Sequence, residues 1–591
     1  MYCKKTPLFV ALGLILVTSL LHAAEVYEVT VERGVTAKMR DGVILRADIY
    51  RPKADGQFPV LLTRTPYDKR NSAPFGLKGA ARGYVVVIQD VRGRYTSDGD
   101  WYPFKHESND GFDTVEWAAA LPYSNGKVGM WSGSYVGATQ MLTAIAHPPH
   151  LAGICPVVTA SNYHDGWTYQ SGAFEQWFNE SWTSSLAQDT FDRAVVKNNN
   201  ALVGGWKLPL ASYPLFNFPD PSAAPASTAN LAPYFLDWLA HPSYDDYWKQ
   251  ISIEEHYADI NVPVLSIGAW YDIFLGGSLR NYIGIKAHGG DAARNSQHLF
   301  VTIGGHAGGG RKIGEVDFGA AAAEYDENEI TLNWYDYLFK GVQNEFAGKP
   351  VKIFVMGLNQ WRGEDDWPLA RAQSTKYFLH SAKSASSLRG DGSLSTAVPR
   401  SESADHYMYD PANPVPTVGG PLCCAPTQLA AGPRDQRAVE ARDDVLVYST
   451  PAFAQDTEIT GPVSLELFAK SSAVDTDFTA KLVDVAPDGF AQNLTEGILR
   501  ARYRDSQEKA TLMNPGQIYK FTIDLWSTSN VFLKGHTLRL EVSSSNFPRF
   551  DRNLNTGEEP AYGKYYVSAT NTIYHDADHP SALILPVVPA H

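Results

Sequence analysis

Along the first third of the chain, short apolar runs alternate with stretches whose apolar residues recur at helical spacing. Residues 60–63 and 84–89 are rich in Val, Leu and Ile and are bounded by polar turns, the pattern of parallel strands buried on both faces. Residues 109–121 carry apolar positions three and four apart, residues 127–131 resume a strand, and residues 135–146 are helical again. The alternation predicts an α/β domain.

Between about residues 163 and 256 the alternation stops. Trp, Tyr, Phe and Pro dominate there, with a helical stretch at 175–188, and this predicts a helical cap inserted over the sheet. The sheet pattern returns at 262–268 and 298–304, followed by a helix over 327–339. Beyond residue 350 the character changes to alternating strands at 351–356, 445–448, 463–469, 519–525 and 537–542, with turn-rich separators such as 411–421. Such spacing predicts a β-sandwich of jelly-roll type. The expected organisation is an α/β domain in two parts, residues 25–162 and 257–348, a cap over 163–256 and a jelly roll over 349–591.

A chain of 591 residues is too long for one core, which agrees with that division. With 44% apolar, 12% aromatic and 19% charged residues it reads as globular, and its formal net charge of -14, with no basic stripe, excludes nucleic acid as a partner. Met1-Tyr2-Cys3-Lys4-Lys5, an apolar run over residues 7–21 and His22-Ala23-Ala24-Glu25 form a secretory signal pattern over residues 1–24. The expectation is a periplasmic or secreted protein, free of the membrane after cleavage. Homo-oligomer formation stays open.

Loss of that segment leaves Cys155, Cys423 and Cys424, too few for a disulfide framework. The adjacent Cys423-Cys424 pair either closes a vicinal disulfide or forms two small residues of a Gly/Pro-rich turn, and neither reading makes it catalytic. His575-Asp576-Ala577-Asp578-His579 has the composition of a metal cluster, but in a terminal, Pro-bounded segment it reads as a solvated turn. No metal or organic cofactor is expected.

The chemistry points to Ser134, in Trp131-Ser132-Gly133-Ser134-Tyr135-Val136-Gly137 between a predicted strand and helix. A serine hydroxyl is a weak nucleophile, and a sharp strand-to-helix turn presents it clear of its neighbours at a helix N-terminus. The segment departs from G-x-S-x-G, because Ser132 replaces the first glycine and the later glycine falls one place further on. Asp272 and His306 each follow a predicted strand end, in the order nucleophile, acid, histidine, at the edge where open α/β sheets place their sites. Arg92 and Arg94 beside Asp90 either bind an anionic substrate or lock their own loop.

Several segments then resemble one family in order: Arg64-Thr65-Pro66-Tyr67-Asp68-Lys69, Asp90-Val91-Arg92-Gly93-Arg94, Asp113-Thr114-Val115-Glu116-Trp117, the Ser134 elbow, Gly268-Ala269-Trp270-Tyr271-Asp272 and Asn546-Phe547-Pro548-Arg549-Phe550-Asp551. They are similar to the cocaine-esterase-like and X-Pro dipeptidyl-peptidase-like serine hydrolases, which include α-amino-acid ester hydrolases. The resemblance implies an α/β-hydrolase fold with a helical cap and a C-terminal jelly roll. It implies Ser134 as nucleophile, His306 as base, Asp272 as the carboxylate orienting it, and the Tyr67 hydroxyl with the Tyr135 backbone N–H as oxyanion hole. Trp167, Trp182 and Phe274 fall where cocaine-esterase-like members line the acyl pocket, although each tryptophan also reads as core.

The histidine segment Gly304-Gly305-His306-Ala307-Gly308 lacks the tryptophan that often precedes it in the family, which bears on the shape of its loop. Ile273-Phe274-Leu275 follow Asp272 where α-amino-acid ester hydrolases carry acids. Hydrolysis of small-molecule carboxylic esters is therefore the leading expectation, with an aromatic or bulky acyl group. An X-Pro dipeptidyl-peptidase, amino-acid ester hydrolase or β-lactam acylase acting on amides is the runner-up, with Asp165 and Glu175 as cap acids that could meet an ammonium. A glycan-binding protein using the jelly roll is the rival of a different class.

Overall fold

The computed structural model describes residues 26–193, 208–213, 215, 218–220, 227–229 and 231–589, and the leader expected over residues 1–24 lies outside them. A ten-stranded sheet is built from β1 (Val29–Lys38), β2 (Ile44–Pro52), β3 (Phe58–Thr65), β4 (Val85–Asp90), β5 (Ser124–Gly133), β6 (Leu151–Val157), β7 (Val264–Tyr271), β8 (Gln297–Gly305), β9 (Val351–Val355) and β10 (Gln360–Glu364). Its order is β1-β2-β4-β3-β5-β6-β7-β8-β9-β10. From β4 to β9 all neighbours are parallel, and the outer pairs are antiparallel. Every residue of β4 and of β7 is buried, as helix-covered parallel strands require.

The helices that position the site are α1 (Glu107–Ala119), α2 (Tyr135–Ile145), α3 (Gln176–Arg193), α4 (Pro233–Ala240), α5 (Leu275–His288) and α6 (Glu327–Lys340). The cap supplies α3 and α4. The antiparallel pair β1–β2 was not anticipated, because its alternation is broken by a bulge between Glu32 and Val35. Strands β9 and β10, expected in the jelly roll that was to begin at residue 349, instead complete the hydrolase sheet, because β9 pairs in parallel with β8 and β10 pairs back on β9. Strand β7 runs to Tyr271, beyond the apolar run at 262–268, because β9 and the second domain both brace its end. Trp270 Nε1 donates to the Phe354 carbonyl at 2.7 Å, and Tyr271 OH donates to the Asn493 carbonyl at 2.9 Å.

The C-terminal β-sandwich contains eleven strands, antiparallel except for one parallel bridge between Ser393 and Ser449. Its longest strands, Thr457–Ser471 and Tyr519–Phe532, pair with each other and extend beyond the alternating segments. The extension of the second is polar yet buried: Thr528, Ser529 and Asn530 lie against the first domain, where the Ser529 carbonyl accepts from Met356 N–H at 3.0 Å. One apolar cluster runs from Trp270, Leu275 and Ile353 into Leu465, Phe521 and Leu540, so the two domains share a core.

Candidate active site

Ser134 sits between β5 and α2 with φ 61° and ψ -130°, and Ser132 has φ 97°, so both occupy backbone conformations that L residues adopt at a cost. The surroundings hold them there. Ser134 N–H donates to the Val157 carbonyl at 2.9 Å, the Ser134 carbonyl accepts from Thr159 Oγ1 at 2.9 Å, and Gln140 Nε2 donates to the Ser132 carbonyl at 2.7 Å. A Cβ on Gly137 would lie 2.7 Å from Thr159 Cβ. This contact explains the displaced glycine: it is needed where α2 crosses the exit of β6.

His306 lies in a tight turn closed by hydrogen bonds in both directions between Gly305 and Gly308, at 3.2 and 3.0 Å. A Cβ on Gly304 would collide with the Gly308 carbonyl, so the loop's shape is set by glycine rather than by the missing tryptophan. Nδ1 of His306 is 2.7 Å from Asp272 Oδ2, and Nε2 is 2.9 Å from Ser134 Oγ. A carboxylate only accepts, so Nδ1 carries the hydrogen and Nε2 offers its lone pair to the serine hydroxyl. Asp272 is fully buried, and its other oxygen accepts the Phe274 N–H at 2.7 Å. Residues 134, 272 and 306 thus converge.

Tyr67 leaves β3 on a loop held by the buried Asp90, which accepts Lys69 N–H at 2.8 Å and pairs with Lys69 Nζ at 3.0 Å. Its hydroxyl accepts from Trp182 Nε1 at 2.9 Å. Burial pushes the phenol up to about 12, only partly offset by its polar neighbours Trp182 and Ser134, so it keeps its proton to donate. The Tyr135 N–H is at the first turn of α2, where amides lack a carbonyl partner in their own helix. Beneath it a buried chain fixes the elbow. Tyr135 OH donates to Glu107 Oε1 at 2.8 Å, and Arg64 Nη1 donates to Glu107 Oε2 at 2.7 Å. Sequence reasoning missed this brace, though Arg64 stands in a segment it had singled out.

Trp167, Trp182 and Phe274 form a continuous wall. Trp167 stacks on Phe274 with centroids 4.4 Å apart, Trp182 meets Trp167 edge-on at 5.7 Å, and Phe274 stands edge-on to His306 at 5.2 Å. All three are at most 2% exposed, which is the core reading, and they link the histidine to Tyr67. Trp177 is also buried, with its indole N–H on the Cys424 carbonyl.

The cap acids turn elsewhere. Asp165 pairs with Arg280 Nη1 at 3.0 Å and accepts the Ser171 N–H. Burial acts to raise this carboxyl, and Arg280 with that N–H outweighs it, leaving it below the usual carboxylate range. Glu175 faces Arg549 at 3.4 Å, and burial pushes it up to about 7 despite that guanidinium. Ile273 and Leu275 are both 1% exposed, so no acid follows Asp272.

Arg92 and Arg94 lock loops. Arg92 pairs with Asp110 at 2.6 Å and Asp41 at 2.8 Å, while Arg94 donates to the carbonyls of Pro66 at 3.1 Å and Leu186 at 3.0 Å, tying the Tyr67 loop to α3. His575, 1% exposed, hydrogen-bonds Asp405 at 2.9 Å and Glu402 at 3.2 Å, and His579 hydrogen-bonds Asp576 at 3.1 Å, so the segment expected as a solvated turn is instead anchored by a buried histidine. Among the described residues no group of three or more His, Cys, Asp and Glu could hold a metal ion. Cys423 and Cys424 are joined by a disulfide, which decides between the two readings of that pair.

Residues 41–308 fit the family model of the X-Pro dipeptidyl-peptidase (S15 family), and residues 344–584 fit that of the X-Pro dipeptidyl-peptidase C-terminal non-catalytic domain. The chain is 38% identical to a cocaine esterase of Rhodococcus sp. (strain MB1 Bresler), over 95% of this chain and 99% of that protein. It is similar to the solved structure of an aminopeptidase from the marine sediment archaeon Thaumarchaeota archaeon, with a TM-score of 0.79 at 25% identity, covering 100% of this chain and 99% of the other. It is likewise similar to an α-amino acid ester hydrolase, with a TM-score of 0.80 at 26% identity, covering 97% and 99%.

Proposed function

Because this chain belongs to the cocaine-esterase-like, X-Pro-dipeptidyl-peptidase-like family of α/β-hydrolases, serine hydrolases that cleave carboxylic esters, we propose that Ser134, His306 and Asp272 carry out that cleavage through an acyl-enzyme. The observation that carries the assignment is the relay of 2.7 Å from Asp272 to His306 and 2.9 Å from His306 to Ser134. His306 Nε2 takes the hydroxyl proton as Ser134 Oγ attacks the ester carbonyl, and Asp272 stabilises the imidazolium. The oxygen of the tetrahedral intermediate meets the Tyr67 hydroxyl and the Tyr135 N–H. The carbon–oxygen bond to the alcohol breaks, and the alcohol leaves with the proton from His306. Water, deprotonated by the same nitrogen, then releases the acid and restores Ser134.

The wall of Trp167, Trp182 and Phe274 favours a flat, aromatic acyl group. The amidase or peptidase reading, which the name of the aminopeptidase neighbour raises, lacks support at the site. An ammonium held there would need a carboxylate, and Asp165 and Glu175 are engaged by Arg280 and Arg549. Turnover of p-nitrophenyl esters against aminoacyl-p-nitroanilides separates the two. Labelling with a fluorophosphonate followed by peptide mass spectrometry tests the nucleophile: the label is expected on Ser134, and a label on another residue overturns the assignment.

Export to the periplasm or beyond belongs to the same proposal. It rests on the leader pattern at residues 1–24 and on the Cys423–Cys424 disulfide, a bond that persists in oxidising compartments. Cell fractionation with N-terminal sequencing is expected to find the mature chain outside the cytoplasm, starting near Ala24 or Glu25. A cytoplasmic chain with an intact N-terminus would refute it.

A further inference from the structure

The Cys423–Cys424 disulfide lies beside the active site. Leu422, Cys423, Cys424 and Leu429 line a cavity of about 540 Å³ together with the His306 turn and Ile313. The disulfide and the imidazole that protonates the leaving group therefore face one space. Cys423 is 5% exposed and belongs to the same apolar cluster as Trp167, Trp182 and Phe274.

The backbone around the disulfide is under constraint. Cys424 has φ 66° and Ala425 has φ 44°, two successive non-glycine residues in the left-handed region. The Cys424 carbonyl accepts the Trp177 indole N–H at 3.2 Å, and Trp177 and Trp182 lie on the same helix, α3. Trp182 in turn donates to the Tyr67 hydroxyl. The rim of the cavity, the cap helix and the phenol are thus mechanically continuous with the two sulfurs.

We propose that the Cys423–Cys424 disulfide is a redox-responsive specificity element at the mouth of the active site. Closed, it holds the rim against which a bulky ester seats. Opened, it lets Cys424 and Ala425 relax, the rim loosens, and bulky esters lose more than small ones. The opening needs a dithiol. One thiolate of the reagent attacks a protein sulfur and expels the other as a thiolate, and the second thiol then displaces the mixed disulfide. The products are two protein thiols and the oxidised, cyclic reagent, a two-electron exchange. The inference rests on ester hydrolysis at Ser134.

The test compares kcat/KM for p-nitrophenyl benzoate and p-nitrophenyl acetate before and after treatment of the full chain with dithiothreitol, with mass spectrometry counting alkylatable thiols. The benzoate-to-acetate ratio is expected to fall by about tenfold on reduction, the scale of a pocket misfit of one methylene. The double variant C423S/C424S is expected to show the low ratio from the start and no response to dithiothreitol, and it decides the matter if the bond resists the reagent. An unchanged ratio in a protein with both thiols free, or in the double variant, overturns the inference while leaving the esterase reading intact. Absence of ester turnover in the oxidised parent would instead defeat the esterase reading.

Discussion

The catalytic relay of the hydrolase sheet and the charge clusters of the C-terminal sandwich both bury charge, and they use it in opposite ways. In the sandwich, Arg500 pairs with Asp477 and Asp551 at 2.9 Å each, and Arg549 pairs with Glu496 at 2.6 Å. There charge answers charge. In the catalytic relay, the buried Asp272 meets a histidine that lines a cavity and whose far nitrogen faces the half-buried Ser134 hydroxyl. A buried charge marks a reactive site when its chain of hydrogen bonds ends on an atom that a substrate can reach. It marks a joint when the chain closes on itself, as the link from Arg549 to Glu175 of the cap does.

The largest effect that sharpens this contrast is loss of the nucleophile. Ser134→Ala is expected to lower kcat by about 10⁴–10⁶, with a melting temperature within about 3 °C of the parent by calorimetry. Loss of one oxyanion donor comes next: Tyr67→Phe is expected to cost about 10²–10³ in kcat, measured with p-nitrophenyl acetate, while circular dichroism stays unchanged. In the sandwich the order reverses. Arg549→Met leaves Glu496 and Glu175 buried without their cation, and a loss of about 3–5 kcal/mol is expected in denaturant titration, with kcat of the remaining folded enzyme changed less than by Tyr67→Phe. If Arg549→Met abolished turnover without loss of stability, the division between joint and site would fail.

The smallest expected effect is an absence. Burial raises Tyr67 to about 12, and the donating form is the protonated one, so the phenol's contribution persists as pH rises and is lost only near that value. The ratio of parent to Tyr67→Phe kcat/KM is therefore expected to stay flat from about pH 6 to 10. A fall in the ratio with a midpoint well below pH 10 would show a phenol that ionises too readily for this role.

Strand ends made the outline of the site legible in the sequence, because Asp272 and His306 each follow an apolar run that could only be a buried strand. Ser134 was harder, since the glycine pattern around it depends on Thr159, a contact invisible in the local string. The brace of Arg64, Glu107 and Tyr135 was not legible at all. Its members are far apart in sequence, and ordinary charged residues carry no spacing signal. For the same reason Asp165 and Glu175 stayed open as ammonium ligands until Arg280 and Arg549 were found beside them. The sandwich strands were foreshortened where alternation gave way to the buried polar residues at 528–530, which face another domain rather than water.

The most direct measurement is a crystal structure of the protein after reaction with a phosphonate ester, whose tetrahedral phosphorus mimics the attacked carbonyl. The expected result is phosphorus bonded to Ser134 Oγ, with one oxygen about 2.7–3.1 Å from both the Tyr67 hydroxyl and the Tyr135 N–H, and His306 still bonded to Asp272. An adduct whose oxygen points away from both donors, or one formed on a different residue, would contradict the account.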